Sequence, residues 1–245
     1  MTFLPGYGVR VLANSKVVSS TVAGVTATHS RGVSDVTVMG QAIATAGSNF
    51  VPGLKTGTMA LRGPQDNVGQ SLHGEIAASI GVDNLIMLTA LLDGDAVGKP
   101  ALFMNGDTTD WAIDAAVADA VGYTLGTQAD ESVEMGWVLH PLTAETADGN
   151  GTAVDRGAVS TPSTGGAAAS LHVTAYSGLT SAALKIQHSV DNSVWADLVA
   201  FTSVTAVGWQ FAKVANGTTV NRYLRVVTDV TGTGSVTFLV AVAPR

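Results

Sequence analysis

Five histidines are the side chains in this 245-residue sequence best suited to metal binding or proton transfer: His29, His73, His140, His172 and His188. A zinc hydrolase motif places two histidines four residues apart on one helix, and no two of these histidines have that spacing. The sequence also contains no GxSxG elbow, no phosphate-binding GxxxxGK[ST] loop and no GxGxxG after a predicted strand. We therefore predict histidines that are scattered over strands and loops.

The densest acidic run could supply oxygen ligands to a metal or a pair of catalytic carboxylates. It consists of Asp107, Asp110, Asp114 and Asp119. A calcium loop needs closely spaced oxygen ligands and a bidentate glutamate at a fixed distance, and none follows here. The separation that paired glycosidase carboxylates require is not fixed by sequence. The run favours a solvated acidic face over a metal site.

Four aromatic residues in the last third of the chain could form a sugar-binding face: Trp195, Trp209, Tyr176 and Tyr223. Aromatic side chains also dominate the interiors of β-sandwiches, where they bury a large apolar area. We therefore predict that the two tryptophans fill a core. A sugar-binding face remains the alternative.

Composition excludes several functional classes. The chain has no cysteine, so it has neither disulfides nor thiolate chemistry. The net charge of −7 disfavours a general grip on nucleic acid phosphates. The beginning of the chain, MTFLPGYGVRVLANSK, lacks the basic and apolar regions of a signal peptide, so we expect none. Together with the missing motifs, this predicts a protein that is not an enzyme and needs no cofactor or metal.

The elements that carry these residues are predicted to be mainly strands. Only 13% of residues are charged, glycine is abundant, and Val, Thr and Ala dominate. One helix is predicted over residues 84–92, with Asp83 as its N-cap, because Leu85, Leu88, Leu91 and Leu92 recur at helical spacing. Residues 72–77 are predicted to form a short strand. Further strands are predicted at 35–40, 58–62, 99–104, 111–117, 122–125, 136–141, 170–177, 182–189, 195–201, 209–214, 222–229 and 235–243.

Charge and composition divide the chain. Residues 1–155 contain 16 acidic and 6 basic residues, a net charge of −10, whereas residues 156–245 contain 3 and 6, a net charge of +3. The change falls in a stretch of small and polar residues that is typical of a linker. We predict a first domain at 1–143, a linker at 144–168 and a small all-β sandwich at 169–245.

Several segments together resemble the tail tube, or major tail, proteins of long-tailed bacteriophages. In the first domain these are DVTVMG (35–40), VPGLKTGTMALRG (51–63), GKPALFM (98–104), WAIDAAVADAVGY (111–123) and GWVLH (136–140). LKIQHSVDNSVWADL (184–198) and VNRYLRV (220–226) are similar to a domain that is often fused to such proteins. Two positions depart from the family pattern: Gln41 stands where many relatives have an acidic residue, and 62–66 lacks an aromatic residue.

The resemblance implies a fold and an assembly. The expected fold is a tail-tube-like β-sandwich or partly closed barrel with one flanking α-helix, followed by the small sandwich. Six copies would form a ring, and rings would stack into a tube through which double-stranded DNA passes without specific binding. Tail terminator, tape measure and baseplate proteins would be partners. The protein would be made in the host bacterial cytoplasm and incorporated into the virion tail.

The resemblance also gives a role to a glycine-containing loop with little capacity to form a core alone. A long loop between two early strands reaches the adjacent ring in this family, and here it would comprise Ala44, Thr45, Ala46, Gly47, Ser48, Asn49, Phe50, Val51 and Pro52. We expect much of the acidic charge to face the lumen and to repel DNA. We expect the C-terminal domain to decorate the exterior, with weak host-surface glycan binding as an alternative to a purely structural role. A capsid decoration protein and a carbohydrate-binding module are the other candidate functions.

Overall fold

The computed structural model describes residues 8–35, 50–65, 71–83, 85–115, 121–158 and 162–245. The prediction of a mainly β fold is confirmed, since strands make up 66% of the structure. Among the described residues there is one α-helix, α1 (Ser71–Ser79), and a 3-10 turn at Ser19–Thr21. No helix within these ranges has the length and apolar character to cross a membrane.

Fourteen strands join into one sheet within the described part of the chain. They are β1 (Arg10–Ala13), β2 (Lys16–Val17), β3 (Gly24–Asp35), β4 (Phe50–Pro64), β5 (Ile86–Leu91), β6 (Pro100–Asp114), β7 (Gly122–Ala129), β8 (Glu134–Glu145), β9 (Gly149–Asn150), β10 (Val154–Asp155), β11 (Ala167–Ser189), β12 (Ala196–Ala200), β13 (Gly208–Val214) and β14 (Tyr223–Pro244).

The long strand β6 belongs to two layers of the first half of the chain. Its first part pairs with β5 on one side and β8 on the other, and its second part pairs with β7. Through β7 it continues into β4 and β3. One face of each layer contributes to a shared core that includes Met59, Leu61, Ile86 and Leu125, and α1 adds Leu72 and Ile76 to it.

The predicted position of the helix is wrong. Residues 86–91 form strand β5, which is buried on both faces, so apolar residues follow one another without a polar face. A run of this kind cannot be distinguished from a buried helix by periodicity alone. The helix lies instead at 71–79, where a strand was predicted. There Leu72 and Ile76 are four residues apart and point into the same core.

The second half is built on one long ribbon. β11 has 23 residues and β14 has 22, and the two pair in antiparallel register from Ala167↔Pro244 to Ser189↔Tyr223. The separate strands predicted at 170–177 and 182–189 are therefore one strand, as are those at 222–229 and 235–243. Register shifts around Gly178 bend the ribbon, and both Gly178 and Gly232 have positive φ angles.

The bend lets the two halves of the ribbon pack on each other. Leu171 and Val173 on one half share a core with Leu184 and Ile186 on the other, together with Phe238. A further core lies between the halves of the chain, where Phe103 and Leu91 meet Ala168, Leu239 and Ala241. β14 also pairs with β8, so the sheet continues from residues 134–145 into 223–244.

The predicted linker at 144–168 contains two short strands. β9 and β10 both pair with β14, and the described residue Ser163 forms an antiparallel bridge with Val220. The division into domains at 1–143 and 169–245 stays a prediction.

Candidate assembly interface

Two strand edges on opposite sides of one four-stranded sheet have no partner within the described residues. The strand order is β3–β4–β7–β6, and all neighbours are antiparallel. No described strand pairs with the outer side of β3 or with residues 109–114 of β6, although Thr108 bridges to Ile80. Unpaired edges present rows of N–H and C=O groups that can pair with another chain.

The face of this sheet that points away from the core is dominated by small side chains. Strand alternation places Met59 and Leu61 in the core and Thr58 and Ala60 outside. The exposed face accordingly carries Thr26, Thr28, Ser30, Thr56, Thr58, Ala60, Arg62, Asp110, Ala112, Asp114 and Thr124.

Hydroxyl groups on this face bond to one another across strands. The Oγ1 atoms of Thr28 and Thr58 are 2.6 Å apart, and Ser30 Oγ lies 2.7 Å from Thr56 Oγ1. Such cross-strand pairs stabilise a sheet, and they occupy part of the hydrogen-bonding capacity of each hydroxyl. The described part of this face therefore offers neither a dense charge nor an apolar patch to a ligand.

The described part of the exposed face carries one cation, Arg62, and two carboxylates, Asp110 and Asp114. Arg62 extends over Gly24 of the edge strand β3, since a Cβ at Gly24 would lie 2.7 Å from Arg62 Nε. The two aspartates lie on the unpaired part of β6 at the opposite edge. None of the three forms an ion pair within the described residues.

Beyond the register with β7, β3 and β4 continue as a two-stranded arm. β7 pairs with β4 only from Thr58 to Pro64, whereas β3 and β4 remain paired up to Asp35 and Phe50. Val33 and Leu54 on this arm are 64% and 86% exposed. Three residues of the predicted inter-ring loop, Phe50, Val51 and Pro52, begin β4 at the end of this arm, and Ala44 to Asn49 lie outside the described residues.

Many acidic residues of the first half that the structure describes pair with cations elsewhere. Seven of them contact a lysine or arginine, namely Glu75, Asp93, Asp95, Asp130, Glu131, Glu134 and Asp155. Four of these seven acidic residues pair with cations of the second half. The charge asymmetry of the sequence therefore reflects ion pairing between the two halves as well as exposed acidic surface.

Arg245 and Lys213 carry much of this pairing. Arg245 Nη2 lies 2.6 Å from Glu134 Oε1 and 3.0 Å from Glu131 Oε2, while Lys213 Nζ lies 3.0 Å from Glu131 Oε1. The hydrogen bond from Lys213 is the main cause that lowers the pKa of Glu131. These contacts bind Lys213 of β13 and Arg245 to the connection between β7 and β8.

The histidines do not converge: four lie on strands, as predicted, whereas His73 lies on α1. Among the described residues, no group of three or more His, Asp or Glu side chains could hold a metal ion. His140 stacks on Phe238 with ring centroids 3.9 Å apart, and His73 meets Trp111 edge to face. His29 Nδ1 lies 3.3 Å from the Val133 carbonyl oxygen.

His172 is the centre of a buried polar network. Its Nδ1 bonds to the carbonyl oxygen of Asn14, and its Nε2 lies 2.7 Å from Thr89 Oγ1. The Asn14 side chain accepts a 2.8 Å bond from the Met87 amide and donates to Glu75. Complete burial lowers the pKa of His172 to about 4, so the ring is neutral near pH 7.

The aromatic residues take different positions. Trp209 packs against the core between the halves, and Tyr176 packs against the core of the ribbon, as the core interpretation predicted. Trp195 instead lies at the surface, where the Arg225 guanidinium sits 4.2 Å from its ring centroid. Arg225 in turn donates to Gln187 Oε1 at 2.8 Å.

No local pattern in the sequence predicted the open edges or a role for Arg62. A signal for the edges existed only in the family resemblance, because pairing partners depend on topology. The acidic face was predicted, and Asp110 and Asp114 are indeed exposed. Asp119 lies outside the described residues.

Comparisons with known proteins found similarities to solved structures alone. No protein-family model and no curated protein matches the sequence. The chain is similar to a chain from the tail of an empty GTA (gene transfer agent) particle with C6 symmetry, at 8% identity and a TM-score of 0.40 over 50% of this chain and 92% of that one. It is similar to the SPP1 tail tube at 13% identity and a TM-score of 0.39, over 51% and 75% of the two chains.

A third similar structure spans nearly the whole chain. It is the SPP1 Dit protein of the hub adsorption apparatus in phages that infect Gram-positive hosts. The identity is 10% and the TM-score is 0.36, over 96% of this chain and 98% of that one.

Proposed function

We propose that this protein is a structural subunit of a phage-like tail tube and that it assembles into closed rings through the two open edges of its β3–β4–β7–β6 sheet. The observation that carries the proposal is the direction of the edges. Because β3 and β6 are the first and last of four antiparallel strands, they run in opposite directions. Copies related by rotation about one axis would therefore join their sheets in continuous antiparallel order, and closure would leave no edge free.

The exposed hydroxyl-rich face is proposed to line the lumen. Its opposite side carries α1, the second layer and the second half of the chain, which are too bulky to fit inside a ring. Six copies would contribute 24 strands, and strands spaced about 4.8 Å apart close into a barrel on the order of 40 Å across. A barrel of this width accommodates double-stranded DNA.

DNA would pass because the wall offers it little to bind. The hydroxyl groups that bond to one another and the small number of charges support this proposal better than a strongly acidic wall does. Short DNA duplexes added to assembled tubes should show no salt-dependent retention. Strong retention would contradict a passive conduit.

Assembly itself is the direct test. Negative-stain microscopy and sedimentation of the purified protein at increasing concentration should show rings or tubes of uniform width. A protein that remains a monomer at high concentration in virion-like buffers would overturn the proposal. A capsid decoration protein or a carbohydrate-binding module would behave in that way.

The arm of β3 and β4 is proposed to contact the adjacent ring, together with the segment 44–52. Its exposed Leu54 and Val33 would become buried when rings stack. We predict that Leu54→Asp leaves single rings intact and shortens or abolishes stacks, because it places a charge in an apolar contact. Microscopy gives the ratio of rings to tubes, and Val194→Asp, at a valine that is 76% exposed on the far half of the chain, is the matched control. Tubes of normal length from Leu54→Asp would refute the contact.

Weak glycan binding is a second candidate for the outer half of the chain. Trp195 lies at the surface beside Arg225, Gln187 and Asp197, the combination of aromatic and planar polar groups that sugars contact. Repetition along a tube would raise a weak affinity through avidity. Loss of binding to host cell walls in Trp195→Ala tubes would support it, and unchanged binding would remove it.

A further inference from the structure

We infer that Arg62 of one copy forms an ion pair across the ring seam with Asp110 and Asp114 of the next copy, and that this contact sets the register of the seam. The inference rests on the proposed ring. It names the residues that would make one edge recognise the other.

The first observation is where these charges lie. Arg62 belongs to β4, next to the open strand β3, and Asp110 and Asp114 lie on the open part of β6. All three point to the exposed face, which would continue from copy to copy once the edges join. The seam would therefore bring a cation of one copy and two carboxylates of the other onto the same face.

The second observation is that Arg62 reaches toward the open edge. Its side chain crosses β3 at Gly24, the one position where the absence of a Cβ leaves room: a Cβ there would lie 2.7 Å from Nε and 3.2 Å from Cγ of Arg62. Within one copy, Arg62 and Asp114 border the same cavity of about 420 Å³, yet they form no ion pair with each other.

Distance and shape are also compatible with the contact. β4 of one copy and β6 of the next would be separated by two strand spacings, on the order of 10 Å. An arginine and an aspartate side chain span that distance between them. Ala112 lies between the two aspartates on the same face, so it leaves space for a guanidinium between the carboxylates.

Ion pairing among the other charged residues also supports the inference. Seven acids of the first half contact a lysine or arginine, yet these three charges form no ion pair within the described residues. A second copy is the occupant that matches both signs at once, because each copy carries the cation beside one open edge and the carboxylates at the other.

Charge reversal with complementation tests the inference. Arg62→Glu should place three acids at every seam, and the double variant D110R/D114R should place three cations there. Each variant alone should raise the protein concentration needed for half assembly by at least about tenfold. A one-to-one mixture of the two variants should assemble as the wild type does, because alternation around an even-numbered ring makes every seam complementary.

The controls separate this contact from the ring itself. Lys185→Glu makes the same change of charge on β11 and should assemble at the wild-type concentration. If the wild type forms no rings, the proposed function fails. If rings form but both variants assemble normally, or if the mixture stays unassembled, the ion pair is refuted and the ring stands. Should a reversed variant fail to fold by circular dichroism, Arg62→Gln and D110N/D114N decide the matter, each being expected to weaken assembly and its salt dependence.

Discussion

His172 shows how a single residue couples the two halves of the chain. The ring is completely buried, and its contacts are the Asn14 carbonyl and the Thr89 hydroxyl of the first half. Glu75 lies one step away, bound to the Asn14 side chain. The neutral ring satisfies both partners, whereas a second proton would add a charge to a buried site.

This arrangement predicts a loss of stability in mild acid. The folded pKa of about 4 lies below the ordinary value of 6.5. The contribution of His172 is therefore complete above pH 6.5 and is lost as the pH falls toward 4, at about 1.4 kcal/mol per pH unit. Denaturant unfolding of wild type and His172→Gln between pH 7 and 4 measures it. The free energy of unfolding of the variant should depend less on pH, and exposed His73→Gln should retain the wild-type slope; equal slopes for all three would refute the assignment.

Single charges act differently at the seam. Arg62 has no ionic partner within one copy. Its position over Gly24 brings it to the open edge, where a second copy would supply the carboxylates. Exposed ion pairs contribute little to the stability of a subunit. Reversal of Arg62 is consequently expected to change assembly far more than folding.

Elements in this protein are defined by which of their faces are covered. β5 is covered on both faces and reads as an apolar run, whereas β4 is covered on one face and alternates. The long strands β11 and β14 serve two cores because glycines bend them halfway. Gly178 and Gly232 therefore mark bends within continuous strands, whereas the sequence predicted turns between separate strands at these positions.

The join between the two halves depends on a close approach of β8 and β14. Gly136 sits where a Cβ would overlap the carbonyl oxygen of Val242. We predict that Gly136→Ala lowers the free energy of unfolding by about 2–4 kcal/mol, because the backbones must separate. Gly208→Ala, with no atom within 4 Å of the added methyl, should change it by less than about 0.5 kcal/mol. Denaturant titrations give both values, and equal effects would contradict the close approach.

On the scale of the whole molecule, the two halves share a core as well as a sheet. Phe103 and Met87 of the first half pack with Ala168, Leu239 and Ala241 of the second. The ion pairs of Arg245, Lys213 and Arg222 cross the same division. Removal of the second half would uncover this apolar surface.

This shared core predicts the behaviour of fragments. Residues 1–158 expressed alone should aggregate, because the apolar face of β5 and β6 loses its cover. Co-expression with residues 162–245 should restore a complex that purifies together and assembles. Size-exclusion chromatography distinguishes these results. A fragment 1–158 that remains monodisperse and forms tubes alone would show that the second half is a separable decoration.

Composition and local sequence pattern predicted several properties of the protein. The mainly β class, the scatter of the histidines and the exposed acids Asp110 and Asp114 follow from residue types and from alternation along strands, which are local properties. Local spacing gave a wrong prediction at residues 84–92, because a strand that is buried on both faces has apolar residues at helical spacing. It was also wrong at Gly178 and Gly232, where the chain bends within a strand and does not turn between two strands.

The tertiary structure decided what local pattern does not carry. Edges exist only relative to a strand order, and that order brings β3 and residues 109–114 of β6 to opposite sides of one sheet although 74 positions or more separate them in sequence. In the same way, the acidic residues of the first half pair with particular cations of the second half, and counts of charge do not predict which residues pair. Pairing across such separations depends on the folded topology, which is why the interface became visible only in three dimensions.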